Sequence, residues 1–123
     1  MENVENQKPY YDLEERTYRF AQRCRDYVKK LPRTISNIEY GKQLVRSSGS
    51  VAANYIEANE AITKKDFYHR IKISRKEAKE SRLWLRLIIP HLAEEHEQGA
   101  LIQESIELTK IFGSMVSKQN NEN

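Results

Sequence analysis

Leu44-Val-Arg-Ser-Ser-Gly-Ser-Val-Ala-Ala-Asn-Tyr-Ile-Glu-Ala58 reads as a helix with two uncharged sides. Steps of three and four from Gly41 collect Leu44, Val45, Ser48, Val51, Ala52, Tyr55, Ala58 and Ile62, the core-facing stripe of an amphipathic helix. Gly49, Ala53 and Ile56 fall on another side and make a second small, uncharged strip. A helix of this kind needs cover on both sides. Either it is the central helix of a monomer's core, or the second strip is buried against another copy of the chain.

Working outward, Pro32 closes a preceding helix whose buried face reads Leu13, Thr17, Phe20, Ala21, Cys24, Tyr27, Val28 and Leu31. Asp12 is its expected N-cap, with Glu15 as capping-box partner. Thr34 or Ser36 caps the central helix, which runs to about Glu60. Its Gly41 and Gly49 each cost about 1 kcal/mol against Ala, which points to a packing need. Thr63-Lys-Lys-Asp66 caps a third helix with the seam Phe67, Ile71, Ser74, Ala78, Ser81, Leu85, Ile88 and Leu92, widened by Trp84 and Leu87. Pro90 ends or kinks it. After the acidic connection Glu94-Glu-His-Glu97, a fourth helix is expected from about Ala100 to Ser117, burying Leu101, Ile102, Ser105, Leu108, Thr109, Phe112, Met115 and Val116. The fold class is therefore all-α, an antiparallel up-down-up-down four-helix bundle over residues 12–117. Residues 1–11 and 118–123 are polar and are expected to be disordered tails.

Composition agrees with this reading. The 123 residues are 32% charged and 38% hydrophobic, with four Gly and three Pro, enough for one core without a staple. No apolar run reaches the roughly 18 residues of a membrane span, so a soluble, cytoplasmic protein with no membrane partner is expected. The lone Cys24 falls on an apolar face, as a small buried hydrophobe does. No catalytic constellation emerges. The serines at 47, 48 and 50 can satisfy carbonyls one turn back, and no histidine or Gly-x-Ser-x-Gly elbow accompanies them. His91 and His96 match no metal-ligand spacing, so neither metal nor cofactor is expected.

The charge is unevenly placed. The chain carries +3 overall, but residues 16–33 carry +6 and residues 63–89 another +6, while 1–15 and 90–123 carry −4 each. On the third helix Lys65, Tyr68, Lys72, Arg75, Lys79, Arg82 and Arg86 repeat the alternation of three and four, a ribbon about 30 Å long at 1.5 Å per residue. Lined-up like charges oppose folding, and an anionic partner would explain them. The competing reading is a solvated outer face. Arg16, Arg19 and Arg23 form a second row on the first helix.

Leu31-Pro32, Glu39-Tyr-Gly-Lys-Gln43, Arg46-Ser-Ser-Gly-Ser50-Val-Ala-Ala-Asn54-Tyr-Ile-Glu57 and Lys65-Asp-Phe67 through Glu77 and Glu80 resemble the bacterial four-helix bundle proteins called 23S ribosomal RNA intervening-sequence proteins. The resemblance covers about residues 12–115, and Arg-Ser-x-x-Ser-Val-x-x-Asn-x-x-Glu is its most specific part. Where many members carry Gly after that glutamate, this chain has Ala58. Related proteins, the accessory variability determinants of diversity-generating retroelements, form basic pentameric barrels that bind nucleic acid and a reverse transcriptase. The resemblance thus implies a four-helix bundle, a ring-like homo-oligomer (a pentamer) and RNA or DNA binding.

Two function classes follow. One is a non-enzymatic homo-oligomer in which Lys65, Lys72, Arg75, Lys79, Arg82 and Arg86, helped by Arg16, Arg19 and Arg23, meet phosphates, with Gly49, Ala53 and Ile56 in the oligomer interface. The other is an interaction scaffold or accessory subunit whose ribbon docks an acidic protein encoded nearby. Arg46, Asn54 and Glu57 lie close to one row, in steps of one turn through Ser50, and read as structural polar residues holding the bundle.

Overall fold

The computed structural model describes residues 13–121, and the expected Asp12 cap and the 1–11 tail lie outside them. Four α-helices and one short 3₁₀ turn follow in order: α1 (Leu13–Lys29), α2 (Ile35–Asn59), α3 (Lys64–Leu87), the turn Leu92–Glu94, and α4 (Glu95–Asn121). Local chemistry explains the boundaries. Thr34 and Thr63 are extended N-caps whose hydroxyls accept the backbone N–H groups of Asn37 and Asp66, contacts worth about 1 kcal/mol each. Leu31-Pro32 lies within the first connection, which Thr34 closes, and α3 stops at Leu87, with Ile88 extended two residues before Pro90.

Cross-helix bonds establish the antiparallel bundle. On α2 and α3, Arg46 meets Glu77 and Glu80, Ser47 meets Ser81, Val51 meets Ser74 and Asn54 meets Arg70, so one helix descends as the other ascends. On α1 and α4, Arg16 pairs with Glu104 and Arg23 with Glu97 in the same inverse order. Gln98 at the start of α4 donates to the carbonyls of Leu85 and Ile88 at the end of α3, at 2.9 and 3.0 Å.

The core joins Leu13, Phe20, Cys24 and Tyr27 of α1, Leu44, Val51, Tyr55 and Ala58 of α2, Ile71, Ala78 and Leu85 of α3, and Leu101, Leu108, Phe112 and Met115 of α4. Small residues bring α2 and α3 together: the Ser47 and Ser81 hydroxyls meet at 2.7 Å, and Ser74 donates to the Val51 carbonyl at 3.0 Å. Gly41 has the packing need its helix cost suggests, since a Cβ there would stand 3.1 Å from a Val28 methyl. Gly49 does not; a Cβ there would meet nothing within 4 Å.

Several expectations are corrected. The buried face of α2 turns further toward α3 than the sequence stripe: Asn37, Ser47 and Asn54 are buried, whereas Val45 and Ile62 are exposed. Ile62 lies beyond the end of α2, where no neighbour covers it. On α3, Leu87 and Leu92 are exposed because the helix ends at Leu87 and the chain leaves the seam. The acidic connection is mostly helix, because Glu95 and Glu97 occupy the first turn of α4, where carboxylates complement the unpaired N–H groups. At its other end α4 continues past Ser117 to Asn121, so residues 118–121 are helical rather than a tail.

Candidate nucleic-acid interface

Six of the seven ribbon positions on α3 are exposed: Lys65, Lys72, Arg75, Lys79, Arg82 and Arg86. Their row lies outward because Ile71, Ser74, Ala78, Ser81 and Leu85 face the core. Tyr68 is corrected: it is buried and stands edge-on to Phe67, with ring centroids 5.2 Å apart. Arg75 lies across α4 at Gly113, where a Cβ would come within 3.2 Å of its Nε. Among the described residues, none of the six cations has a carboxylate within 4.0 Å.

The row on α1 is built differently. Arg16 grips Glu104 with two bonds of 2.7 and 2.9 Å, and Arg23 grips Glu97 at 3.1 and 3.2 Å. Lys30, one heptad further, comes 4.0 Å from Glu94. Arg16, Arg23 and Lys30 thus form an ionic seam that ties α1 to α4. The Glu97 contact also raises the Arg23 pKa. Arg19 bonds Glu15 one turn away, at 3.0 Å. Each arginine of this row has a carboxylate partner, so the two basic rows, on segments of equal charge, differ in what remains unneutralised.

The polar signature of α2 resolves into contacts with α3. Arg46 spans Glu77 at 3.4 Å and Glu80 at 3.3 Å, and Glu77 is 93% removed from solvent with 7% exposed. Asn54 accepts a bond from Arg70 at 3.0 Å and donates to both the carbonyl and the hydroxyl of Ser50, each at 3.0 Å. Glu57 is exposed and has no ion pair among the described residues. Sequence spacing placed Arg46, Asn54 and Glu57 together; the structure joins the first two to α3 and leaves the third on the surface. Arg70 was missed as their partner, although its place on a row with Glu77 and Glu80 carried the signal.

Gly49 is half-buried, and Ala53 and Ile56 are exposed. Ile38, Val45 and Ala52 extend their strip along the α1 side of α2. Cys24 is fully buried, and desolvation pushes its thiol up to about 12. No described helix is long and apolar enough to cross a membrane, and no group of three potential metal ligands gathers among the described residues.

Comparison with known proteins agrees with this architecture. The chain is similar over 85% of its length, at 26% identity and with a TM-score of 0.72, to a protein of unknown function from the S23 ribosomal protein family of Bacteroides thetaiotaomicron, whose crystal structure it covers to 97%. No curated protein matches. Residues 11–114 match the 23S rRNA-intervening sequence protein family, a span that takes in most of the bundle. With fold, signature and family match in agreement, the chain belongs to the 23S rRNA-intervening sequence protein family.

Proposed function

We propose that the protein is a non-enzymatic homo-oligomer that binds RNA or DNA backbone through α3. The observation that carries this reading is the contrast between the two basic segments. Arg16 and Arg23 are neutralised by Glu104 and Glu97, whereas Lys65, Lys72, Arg75, Lys79, Arg82 and Arg86 stand unpaired on one exposed face. Aligned cations on a helix repel one another, and a polyanion relieves that repulsion while releasing its own counterions. Such contacts hold phosphates without reading sequence.

Self-association supports the same function. On the strip Gly49, Ala53 and Ile56 the last two are exposed and a Cβ at Gly49 would meet open space, and a ring, which we take to be a pentamer, would bury it at every subunit and repeat the ribbon. Light scattering is expected to give a mass several times 14.5 kDa, and Ala53→Glu should lower it.

Binding to single-stranded and duplex RNA and DNA is the test of the ribbon. The logarithm of affinity should fall linearly with that of salt, and removing the charge of Lys72, Lys79 or Arg86 should reduce the slope by about one each. Charge removal at Arg16 and Arg23 should leave the slope unchanged. If the Lys72, Lys79 and Arg86 triple alanine variant binds all four probes like the parent at every salt concentration, α3 does not carry the binding. Purified protein whose 260/280 nm absorbance ratio is unaffected by nuclease, together with no binding to any probe, would transfer the ribbon to an acidic protein partner.

A further inference from the structure

Near the start of α2 the bundle carries a groove of about 560 Å³ against the end of α1. Its walls are Val28, Leu31, Pro32, Ile38 and Val45, and Gly41 lies at its floor. Lys29, Arg33 and Lys42 line its edge; Lys42 is paired with Glu39 at 3.5 Å, so Lys29 and Arg33 make the rim positive around an apolar interior. Across the same end of the molecule, the connection between α3 and α4 forms a protrusion of the opposite character. Ile89 and Leu92 stand 72% and 81% exposed, and beyond Ala93 come Glu94, held near Lys30, and the exposed Glu95. Large aliphatic side chains so exposed on two complementary features are what a monomer's surface avoids.

Asn37 places both features at one level. Its side chain bonds the Pro32 carbonyl beside the groove and both backbone groups of Ile89 at the protrusion. In a closed ring whose axis runs along the bundle, every copy stands at the same height, so a contact between two different patches requires them to share a level. Beyond Val45, the groove's last lining residue, α2 carries Gly49, Ala53 and Ile56, the strip of the proposed interface.

We infer that the groove receives the Ile89–Glu95 protrusion of a second copy of this chain, Leu92 entering between Val28 and Val45 while Glu95 meets Lys29 and Arg33. The inference rests on the self-association proposed above and specifies its geometry: the contact is head-to-tail, between unlike surfaces. A head-to-tail contact gives each subunit one donor and one acceptor end, which is how rings close.

Two outward-facing substitutions separate the ends. Leu92→Glu blocks the protrusion and Val45→Glu blocks the groove, and both sites are exposed enough that circular dichroism should match the parent. Each variant alone should run as a 14.5 kDa monomer in light scattering, because no junction can form. An equimolar mixture should double in mass, since one intact protrusion and one intact groove remain to make a single junction. If the parent assembles and both variants keep its mass, assembly stands through another surface and the protrusion-in-groove contact falls. Two monomeric variants that stay monomeric when mixed also overturn it. A parent that is monomeric at every concentration removes the self-association itself.

Discussion

Asn37, in the first turn of α2, is bonded on both sides to the backbone of Ile89: it accepts from the Ile89 N–H at 3.0 Å and donates to the Ile89 carbonyl at 2.9 Å. A third bond, to the Pro32 carbonyl at 3.0 Å, makes it the link between the two connections at this end of the bundle. The residues around Pro90 have no helical partners for these groups, so one buried amide replaces a turn of helix. Asn37→Ala should therefore cost on the order of 2 kcal/mol and lower Tm by roughly 5–10 °C in a thermal melt. Asn37→Asp keeps the acceptor but loses both donor bonds, and it should lie closer to the alanine variant than to the parent.

The α2 signature separates by contact. Asn54 bridges Arg70 and Ser50, so Asn54→Ala leaves a partly buried guanidinium without its acceptor and should lower the urea midpoint by the equivalent of about 1–2 kcal/mol. Glu57→Ala, at an exposed position, should shift it by less than about 0.5 kcal/mol. Equal losses at the two positions would mean that Glu57 has a structural partner in the assembly.

The two helical glycines should respond in opposite ways. In the Ala53→Glu background, chosen to remove the proposed self-association, Gly49→Ala should raise stability by about 1 kcal/mol, because the added methyl meets only open space. Gly41→Ala gains the same helix propensity but presses a Cβ to 3.1 Å from Val28, so urea midpoints should show it well below Gly49→Ala.

Cys24 ties stability to alkaline pH. Desolvation raises its thiol from 9.0 to about 12, so the folded protein holds this proton where the unfolded chain releases it. That contribution is complete below about pH 9 and is lost as pH rises toward 12. Denaturation midpoints should fall more steeply above pH 9 in the parent than in Cys24→Ala. At pH 8 a thiol reagent should label Cys24 only at the rate of unfolding.

How the functional surface emerges is clearest in the two basic segments, which are alike in charge and spacing along the chain. Arg16 and Arg23 find Glu104 and Glu97, partners 88 and 74 residues away, whereas Lys65, Lys72, Arg75, Lys79, Arg82 and Arg86 find no carboxylate among the described residues. No local pattern encodes that difference, because it depends on which helix lies beside α1. Tyr68 makes the same point, since spacing sets it on the ribbon and packing buries it.

By itself the sequence determined the helices, their threonine caps, the breaks at Pro32 and Pro90, most of the core and the family. These follow from periodicity and from side chains acting on backbone a turn away, within reach of local reading. Only the tertiary structure decided that α4 begins at Glu95, that Arg46 and Asn54 serve α3 while Glu57 does not, and that Gly41 is crowded while Gly49 is open. Those outcomes depend on which helix faces which and at what distance, and both are set by packing the whole chain at once.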